Sequence, residues 1–127
     1  MMRYAAFAVT TLLACGTFSI SASAQEGDAA QGKTVFARCA ICHKVDKNAG
    51  NGLGPNLFGI VGRKAASLPG FEYSGPMKAS GLTWTPDNLA KWVAGPAKML
   101  PGTKMAFPGI TSKGEVRDVV AYLGTLK

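Results

Sequence analysis

Apolar side chains recur at helical spacing in three stretches of the chain, and each stretch begins with a capping signal. Asp28 can cap a first helix, which we predict to run through Cys42. Thr85 can cap a second helix, and the pair Gly95–Pro96 should end it. The segment Ser112–Glu115 forms a capping-box pattern ahead of a third helix. The apolar positions on the three helix faces are Gly32, Val35, Phe36 and Cys39, then Leu89, Trp92 and Val93, then Val116, Val119, Val120 and Leu123.

The segment between His43 and Thr83 is about forty residues long and is rich in glycine and proline, which is unusual inside a compact domain. It also carries many apolar side chains, unlike a linker, and these are Leu53, Leu57, Phe58, Ile60, Val61, Leu68, Phe71 and Tyr73. Three short helices cannot bury so much apolar surface among themselves in a domain of this size. Because no strand-like alternation is present, we predict an all-α fold with long loops around a large apolar cofactor. A short fourth helix is compatible with this pattern.

Composition limits the function further. The chain has 127 residues, which is enough for one domain, and its single histidine excludes a metal site with two histidines. A net charge of +7 would suit a nucleic-acid binder, but the basic residues are dispersed and no binding motif accompanies them. We therefore expect no nucleic-acid partner.

The N-terminus has the pattern of an export signal. A short positive start precedes an apolar stretch, and Ala22–Ala24 forms an A-x-A cleavage site. We expect cleavage after this site, which gives a signal peptide of residues 1–24, a single mature domain of residues 25–127, and a periplasmic location. A competing pattern at Leu12–Cys15 resembles a lipoprotein box, in which Cys15 would carry a lipid anchor.

Cys39, Cys42 and His43 form the pattern C-x-x-C-H, which is the attachment signature of a c-type haem. On a helical turn the two sulfurs fall near one face, where they can form thioethers with the haem vinyl groups, and the adjacent imidazole can ligate the iron. A thioredoxin-like site would follow a strand, and none is predicted here. A zinc site would need four ligands, more than this cluster offers.

An electron carrier with low-spin haem needs a sixth iron ligand, and without a second histidine the thioether of methionine is the natural choice. The candidates are Met77, Met99 and Met105, which chemistry alone does not separate. The turn-rich loop Pro101–Met105 favours Met105, because such a loop can fold over the face of the ring opposite His43.

Seven blocks in order make the mature chain similar to class I cytochromes c, the mitochondrial type and its bacterial periplasmic relatives. The similarity extends from about Gly27 to Lys127. The blocks are Gly32-Lys33 with Phe36, Cys39-Ala40-Ile41-Cys42-His43, Gly54-Pro55-Asn56-Leu57, Gly62-Arg63-Lys64, Pro69-Gly70-Phe71-Glu72-Tyr73, Leu82-Thr83-Trp84 and Pro101-Gly102-Thr103-Lys104-Met105.

The resemblance implies specific roles for residues around one haem c attached through Cys39 and Cys42. His43 and Met105 would ligate the iron, and the carbonyl of Pro55 would accept a hydrogen bond from the His43 ring. The remaining residues assigned to the haem site are Arg63, Tyr73 and Trp84 at the propionates, Thr103 with a hydroxyl behind the methionine ligand, Trp92 on the distal side, and Phe107 near the exposed haem edge. Gly32 and Phe36 would meet Val119 and Tyr122 where the first and last helices cross.

Two residues depart from the family pattern. Trp92 stands where a tyrosine commonly directs its hydroxyl toward the distal methionine, and Met77 stands where an asparagine commonly anchors an internal water. Both changes make the distal side less polar. We expect them to favour reduced haem and therefore to raise the reduction potential.

The function implied by the resemblance is one-electron transfer without substrate chemistry, and so not an enzyme activity. The partners would be redox proteins such as a quinol–cytochrome c reductase or dehydrogenase on one side and a cytochrome oxidase or other reductase on the other. The basic residues that match positions around the haem edge are Arg38, Lys98, Lys104 and Lys113. We expect them to steer a monomeric protein toward acidic docking surfaces, although a merely solvated surface would show the same charges.

Two other functions use the same motif. A haem peroxidase or gas sensor would need a displaceable sixth ligand and a polar distal pocket, against which the loop Pro101–Met105 argues. A thiol–disulfide oxidoreductase would need Cys39 and Cys42 as free thiols, and a mass increment of one haem would exclude it.

Overall fold

Short helices separated by long loops make up the fold. The computed structural model describes residues 26–127, so the proposed signal peptide and Cys15 lie outside the described residues. The helices are α1 (Ala29–Phe36), α2 (Gly75–Ala79), α3 (Pro86–Ala94), α4 (Pro96–Met99) and α5 (Lys113–Gly124). Within residues 26–127 the extended backbone pairs only in an isolated bridge between Lys64 and Thr83. The all-α prediction is thus confirmed. None of the described helices is long and apolar enough to span a membrane.

The helix starts predicted from capping residues are confirmed. The Asp28 carboxylate accepts hydrogen bonds from two backbone N–H groups in the first turn of α1. The Thr85 and Ser112 hydroxyls each accept one from the third residue of α3 and α5. Gly95 ends α3, as expected, and the following proline begins the short helix α4.

The first helix is shorter than predicted, because α1 ends at Phe36 and not at Cys42. Beyond it the backbone continues in tight turns, in which Cys39 N donates to Phe36 O at 2.7 Å and Cys42 N donates to Cys39 O at 3.0 Å. These two bonds span three residues, whereas Ala40 N donates to Phe36 O at 3.0 Å and His43 N to Cys39 O at 2.9 Å across four, so tight and helix-like turns alternate. Periodicity could not reveal this change, since a tight turn keeps the same side chains on nearly the same face.

The sequence pattern did not reveal the short helix α2. The five residues of α2 lie within the segment for which no periodic pattern was found. Its start is nevertheless marked in the sequence, because the Ser74 hydroxyl accepts from Met77 N at 3.2 Å and Pro76 occupies the first turn. Five residues are too few for an apolar stripe to repeat, which explains the failure.

Crossing of α1 and α5 forms the framework of the core. The rings of Phe36 and Tyr122 lie 5.2 Å apart, and Val119 is 1% exposed. Gly32 faces α5 so closely that a Cβ at this position would overlap the Asp118 carbonyl oxygen and lie 2.8 Å from Tyr122 Cβ. The helices approach this closely because Gly32 has no side chain.

Polar contacts hold both ends of the same crossing. Asp118 Oδ1 accepts from Asp28 N at 2.8 Å, next to the start of α1. At the other end Arg38 donates to both carboxylate oxygens of Glu115, at 2.8 and 3.0 Å. The Glu115 carboxylate therefore bonds to the chain after α1 and does not complete the capping box that the sequence pattern indicated.

A buried asparagine organises the long loop after His43. Asn56 Nδ2 donates to the carbonyls of Asp46 and Gly50, each at 2.9 Å, and its Oδ1 accepts from Phe58 N at 2.8 Å. Satisfying backbone groups in this way lets an irregular segment be buried without helix or sheet. The loop thus has a fixed shape and can form one wall of a site.

We expect Gly32→Ala to lower the free energy of unfolding by about 1–3 kcal/mol, because its methyl group forces the two helices apart. Gly124→Ala is the matched control, since an added Cβ there has no neighbour within 4 Å. The control should be neutral or more stable by up to about 1 kcal/mol, owing to the helix preference of alanine. Denaturant unfolding of the haem-loaded proteins measures both. Equal stability of the two variants would contradict the close approach.

Candidate functional site

A large cavity of about 610 Å³ lies between the helices and the long loops. Its volume is in the range of cofactor pockets, and side chains from α1, α3 and α5 form its apolar walls. These include Phe36, Leu89, Val93, Val119 and Leu123, with Leu57, Ile60 and Phe71 contributed by the loops. The apolar loop residues therefore surround a space and do not pack wholly against the helices.

Ten of the residues that the sequence assigned to the haem site line this cavity. They come from the turns after α1, the long loop, α3 and the loop between α4 and α5, and they are Cys39, Cys42, His43, Pro55, Arg63, Tyr73, Trp84, Trp92, Thr103 and Met105. Residues more than sixty positions apart in the chain are thus brought to one site. Phe107 also lines it.

The two cysteines stand at the mouth of the cavity. Cys39 is half-buried and Cys42 is exposed. Burial raises the pKa of the Cys39 thiol, and the nearby Arg38 charge does not reverse that shift. A thiol–disulfide oxidoreductase needs a thiol whose pKa is lowered, because the thiolate is the nucleophile. The environment of Cys39 is therefore the opposite of the one that this alternative requires.

His43 is fixed in one orientation by its neighbours. Its Nδ1 donates to the Pro55 carbonyl at 2.7 Å, which leaves the lone pair on Nε2. Burial lowers the pKa of His43, and the hydrogen bond to Pro55 opposes that shift without cancelling it. A Cβ on Gly54 would overlap the ring and lie 2.8 Å from Nδ1. The result is a neutral, oriented imidazole in the cavity wall, which is the form that binds a metal.

The structure narrows the choice among the three methionines. Met105 and Met77 both line the cavity, whereas Met99 packs against the core outside it. Met105 lies in an irregular loop, where its backbone N–H donates to Thr103 Oγ1 at 3.3 Å. Met77 lies in α2 and is 8% exposed.

Two tryptophans form one apolar corner of the cavity. The rings of Trp84 and Trp92 lie 5.5 Å apart with an interplanar angle of 56°, and both side chains are buried. Tyr73 also lines the cavity. Its ring packs edge-on against the ring of Phe71, with 4.9 Å between the ring centroids. The Tyr73 hydroxyl accepts a hydrogen bond from Leu68 N at 3.3 Å, so its own proton remains available to another acceptor.

Arg63 brings a charge into this apolar space. Its guanidinium is half-buried and donates to the carbonyls of Asn56, at 2.8 Å, and Phe58, at 3.3 Å. Burial lowers the pKa of Arg63, yet an arginine stays charged. Among the described residues that line the cavity, none is Asp or Glu. A half-buried cation without a carboxylate is a suitable neighbour for an anionic group of a ligand.

Together these features fit haem c. The walls suit a flat apolar ring, two sulfurs at the mouth suit thioether attachment, Nε2 of His43 suits iron, and Arg63 suits a propionate. Sequence reasoning gave no role to Gly54, which holds the His43 ring, or to Asn56, which shapes the loop. Both belong to the block Gly54–Leu57, and its match to the family pattern is the feature of the sequence that could have identified them.

Comparisons with known proteins agree with this site. The family model for cytochrome c matches residues 29–127. Cytochrome c-554 of Methylosinus trichosporium is 43% identical over 115 residues, which is 89% of this chain and 87% of the relative. Cytochrome c2 of Rhodoblastus acidophilus is 44% identical over 101 residues, which is 80% of this chain and 94% of the relative.

A solved structure is similar over nearly its whole length. Cytochrome cH from Methylobacterium extorquens superposes with a TM-score of 0.74 and is 48% identical, covering 78% of this chain and 99% of that structure. The family carries one haem c bound through two cysteines, and Cys39 and Cys42 occupy those positions here. With agreement at this level across the described fold, the chain belongs to the cytochrome c family.

Proposed function

We propose that the protein is an exported one-electron carrier whose haem iron is ligated by His43 and Met105. The bound haem supplies an iron that cycles between Fe(III) and Fe(II). The observation that carries the proposal is the neutral His43 ring, fixed by Pro55 within a cavity that Met105 also lines. The residues of the site need to hold the iron in the same way in both states, because little then has to reorganise when an electron moves.

The chain supplies this rigidity on the proximal side. The bond between His43 Nδ1 and Pro55 sets the tautomer, and the backbone at Gly54 leaves the ring no room to turn. A hydrogen-bonded imidazole is also a stronger ligand than a free one. The thioether of Met105 would supply a soft ligand that favours Fe(II), and the Thr103 hydroxyl accepts a hydrogen bond from the backbone of its loop.

The remaining residues of the site would stabilise the charges of the haem propionates and of the iron. Arg63, together with the Tyr73 hydroxyl and the Trp84 indole, would hold the propionates, which are costly to bury without partners. The other walls are apolar and exclude water, which disfavours the extra positive charge of the oxidised iron. A buried, His–Met ligated site of this kind suits transfer from a quinol-oxidising complex or dehydrogenase to a terminal oxidase or reductase.

Location and partners complete the proposal. We propose that residues 1–24 direct export to the periplasm and that residues 25–127 are the mature carrier, a lipid on Cys15 being the alternative. Arg38 and Lys104 line the cavity and so lie near the haem, whereas Lys98 and Lys113 are exposed on α4 and α5. The lysines would steer a monomer toward acidic surfaces of its redox partners, whereas the charge of Arg38 is already paired with Glu115 at 2.8 Å.

The ligands are tested by comparing visible spectra of wild type, Met105→Ala and Met99→Ala in oxidised and reduced form. We expect sharp low-spin bands in reduced wild type and a sulfur-to-iron charge-transfer band in the oxidised form. That band should disappear in Met105→Ala and persist in Met99→Ala, since Met99 does not line the cavity.

Other outcomes of the same spectra would contradict the proposal in different ways. A wild type that is high-spin and binds carbon monoxide freely would indicate a peroxidase or gas sensor. A charge-transfer band that survives in Met105→Ala would place the sixth ligand elsewhere, and Met77→Ala would then be the variant to measure.

A separate prediction concerns the effect of the apolar residues Trp92 and Met77 on the reduction potential. Trp92→Tyr and Met77→Asn each add a polar group to the cavity wall, and we expect each to lower the reduction potential. A single hydrogen bond worth about 0.5–1.5 kcal/mol corresponds to about 20–60 mV for one electron. Potentiometric titration measures the shift. Unchanged or higher potentials in both variants would contradict the prediction.

A further inference from the structure

An Asn-Gly dipeptide, Asn51–Gly52, lies in the long loop that follows the haem-attachment motif. The backbone nitrogen of the residue after an asparagine can attack the carbon of the side-chain amide. This attack is easiest when that residue is glycine, which has no Cβ and the widest choice of backbone conformations. Each of the other asparagines of the chain is followed by a residue with a side chain, and these are Asn48, Asn56 and Asn88. Asn51 is therefore the asparagine at which the sequence favours covalent change.

The reaction open to such a pair is deamidation through a cyclic imide. Gly52 N forms a bond to Asn51 Cγ and loses its proton, while the bond between Cγ and Nδ2 breaks and the amide nitrogen leaves with that proton as ammonia. Water then opens the ring at either carbonyl, which gives an aspartate or an isoaspartate. The overall change consumes water and releases ammonia, so it needs no oxidant, reductant or other reactant.

The folded loop fixes both groups that would have to meet. Gly52 N donates to Gly54 O at 3.0 Å, and a Cβ on Gly52 would lie 2.7 Å from Cys42 O, so the backbone there has little room to rotate. Asn51 Oδ1 accepts a hydrogen bond from Asn56 N at 2.9 Å, which holds the amide in place. Gly52 is exposed and Asn51 is half-buried, so hydrogen bonding and close packing, and not burial, restrict the pair.

Two further contacts restrict the same rotation. The Asn56 side chain donates to the carbonyls of Asp46 and Gly50, each at 2.9 Å, and so fixes the backbone that precedes Asn51. Asn51 Nδ2 lies 3.9 Å from the position of a Cβ on Gly70, so a second loop faces the nitrogen that would leave. Reaction therefore requires local unfolding of the loop, and its rate follows the population of the open state.

We propose that Asn51 is a deamidation site that the folded, haem-bound protein keeps unreactive and that the unfolded chain exposes. A chain that has not yet received haem lacks the ring that would bury the apolar walls of the cavity, and is less stable for that reason. Time spent unfolded, before haem attachment or after loss of the fold, then converts Asn51 irreversibly. This inference does not depend on the sixth iron ligand or on the redox partners.

The two products differ in their effect on the proximal side of the site. An aspartate at this position keeps a side-chain oxygen that can accept from Asn56 N. An isoaspartate adds a methylene group to the main chain ahead of Gly52 and so displaces the backbone that leads to Pro55. The Pro55 carbonyl accepts from His43 Nδ1 at 2.7 Å. The isoaspartate chain therefore does not regain the fixed orientation of the histidine.

Haem-loaded protein tests the proposal when it is incubated in mildly alkaline buffer with and without guanidinium chloride. Trypsin then cleaves after Lys47 and Arg63 and releases one peptide that contains Asn48, Asn51 and Asn56. The asparagines on either side of Asn51 are thus internal controls. Mass spectrometry detects the replacement of an amide nitrogen by oxygen and locates it in the peptide, and chromatography separates aspartate from isoaspartate.

We expect Asn51, and neither internal control, to deamidate in guanidinium chloride. In buffer the reaction should be at least about tenfold slower, which corresponds to about 1.4 kcal/mol for local opening. Asn56→Ala removes the side-chain bonds that hold the loop and should raise the rate at Asn51 in buffer. Asn88→Ala is the matched control, because its amide bonds to the Thr83 carbonyl elsewhere in the fold, and it should keep the wild-type rate.

Equal rates at Asn51 with and without guanidinium chloride would overturn the proposal, and this comparison needs wild-type protein alone. An unmodified Asn51 in guanidinium chloride would overturn it as well. Refolding provides the second measurement, in which size-exclusion chromatography separates refolded from expanded chains. Isoaspartate should be enriched in the expanded chains, and Asn51→Asp should refold as wild type does. Equal isoaspartate content in both fractions would contradict the effect on the proximal side.

Discussion

The fold depends on one constraint, which is that its apolar loops cannot be buried by its helices. α1 and α5 cross closely through Gly32, and this crossing positions Phe36 and Val119 at the edge of the cavity. The long loop then closes around the same space, held by the hydrogen bonds of Asn56. A bound apolar ring would bury what the polypeptide leaves facing the cavity. The fold and the cofactor site are therefore linked, because the helix crossing also positions side chains that line the cavity.

The orientation of the proximal imidazole follows from the same constraint. His43 enters the cavity from the hydrogen-bonded turns that follow α1 and not from a regular helix, since α1 stops at Phe36. The Pro55 carbonyl and the Gly54 backbone then contact the ring from the long loop that follows His43. A proline supplies an acceptor without a competing N–H, and a glycine allows the backbone to approach. The neighbouring residues Gly54 and Pro55 thus fix a ligand contributed by another part of the chain.

Local signals in the sequence were sufficient for much of the fold. The caps at Asp28, Thr85 and Ser112 act within one helical turn, so the chain near them determines the structure. The end of α1 was not predictable in this way, because apolar spacing continues through the turn to Cys42. Site residues were found because they lie in short contiguous blocks. The Asn56 side chain donates to carbonyls six and ten residues earlier in an irregular loop, and such contacts follow no periodic pattern that the sequence would reveal.

The basic side chains lie in two different environments. Those buried in the cavity can bind the haem, and those on the surface can interact with a partner. Arg63 is half-buried and bonded to two carbonyls, so its charge acts at short range in an apolar space where electrostatic interactions are strong. Arg38 is exposed and paired with Glu115, and solvent screens its charge. The exposed side chains of Lys98 and Lys113 can attract a partner from a distance, but solvent and salt screen their charges as well. Burial therefore decides what a charge can do, since one guanidinium, that of Arg63, is free to face a bound group in the cavity, and the other, that of Arg38, is balanced by a neighbouring carboxylate.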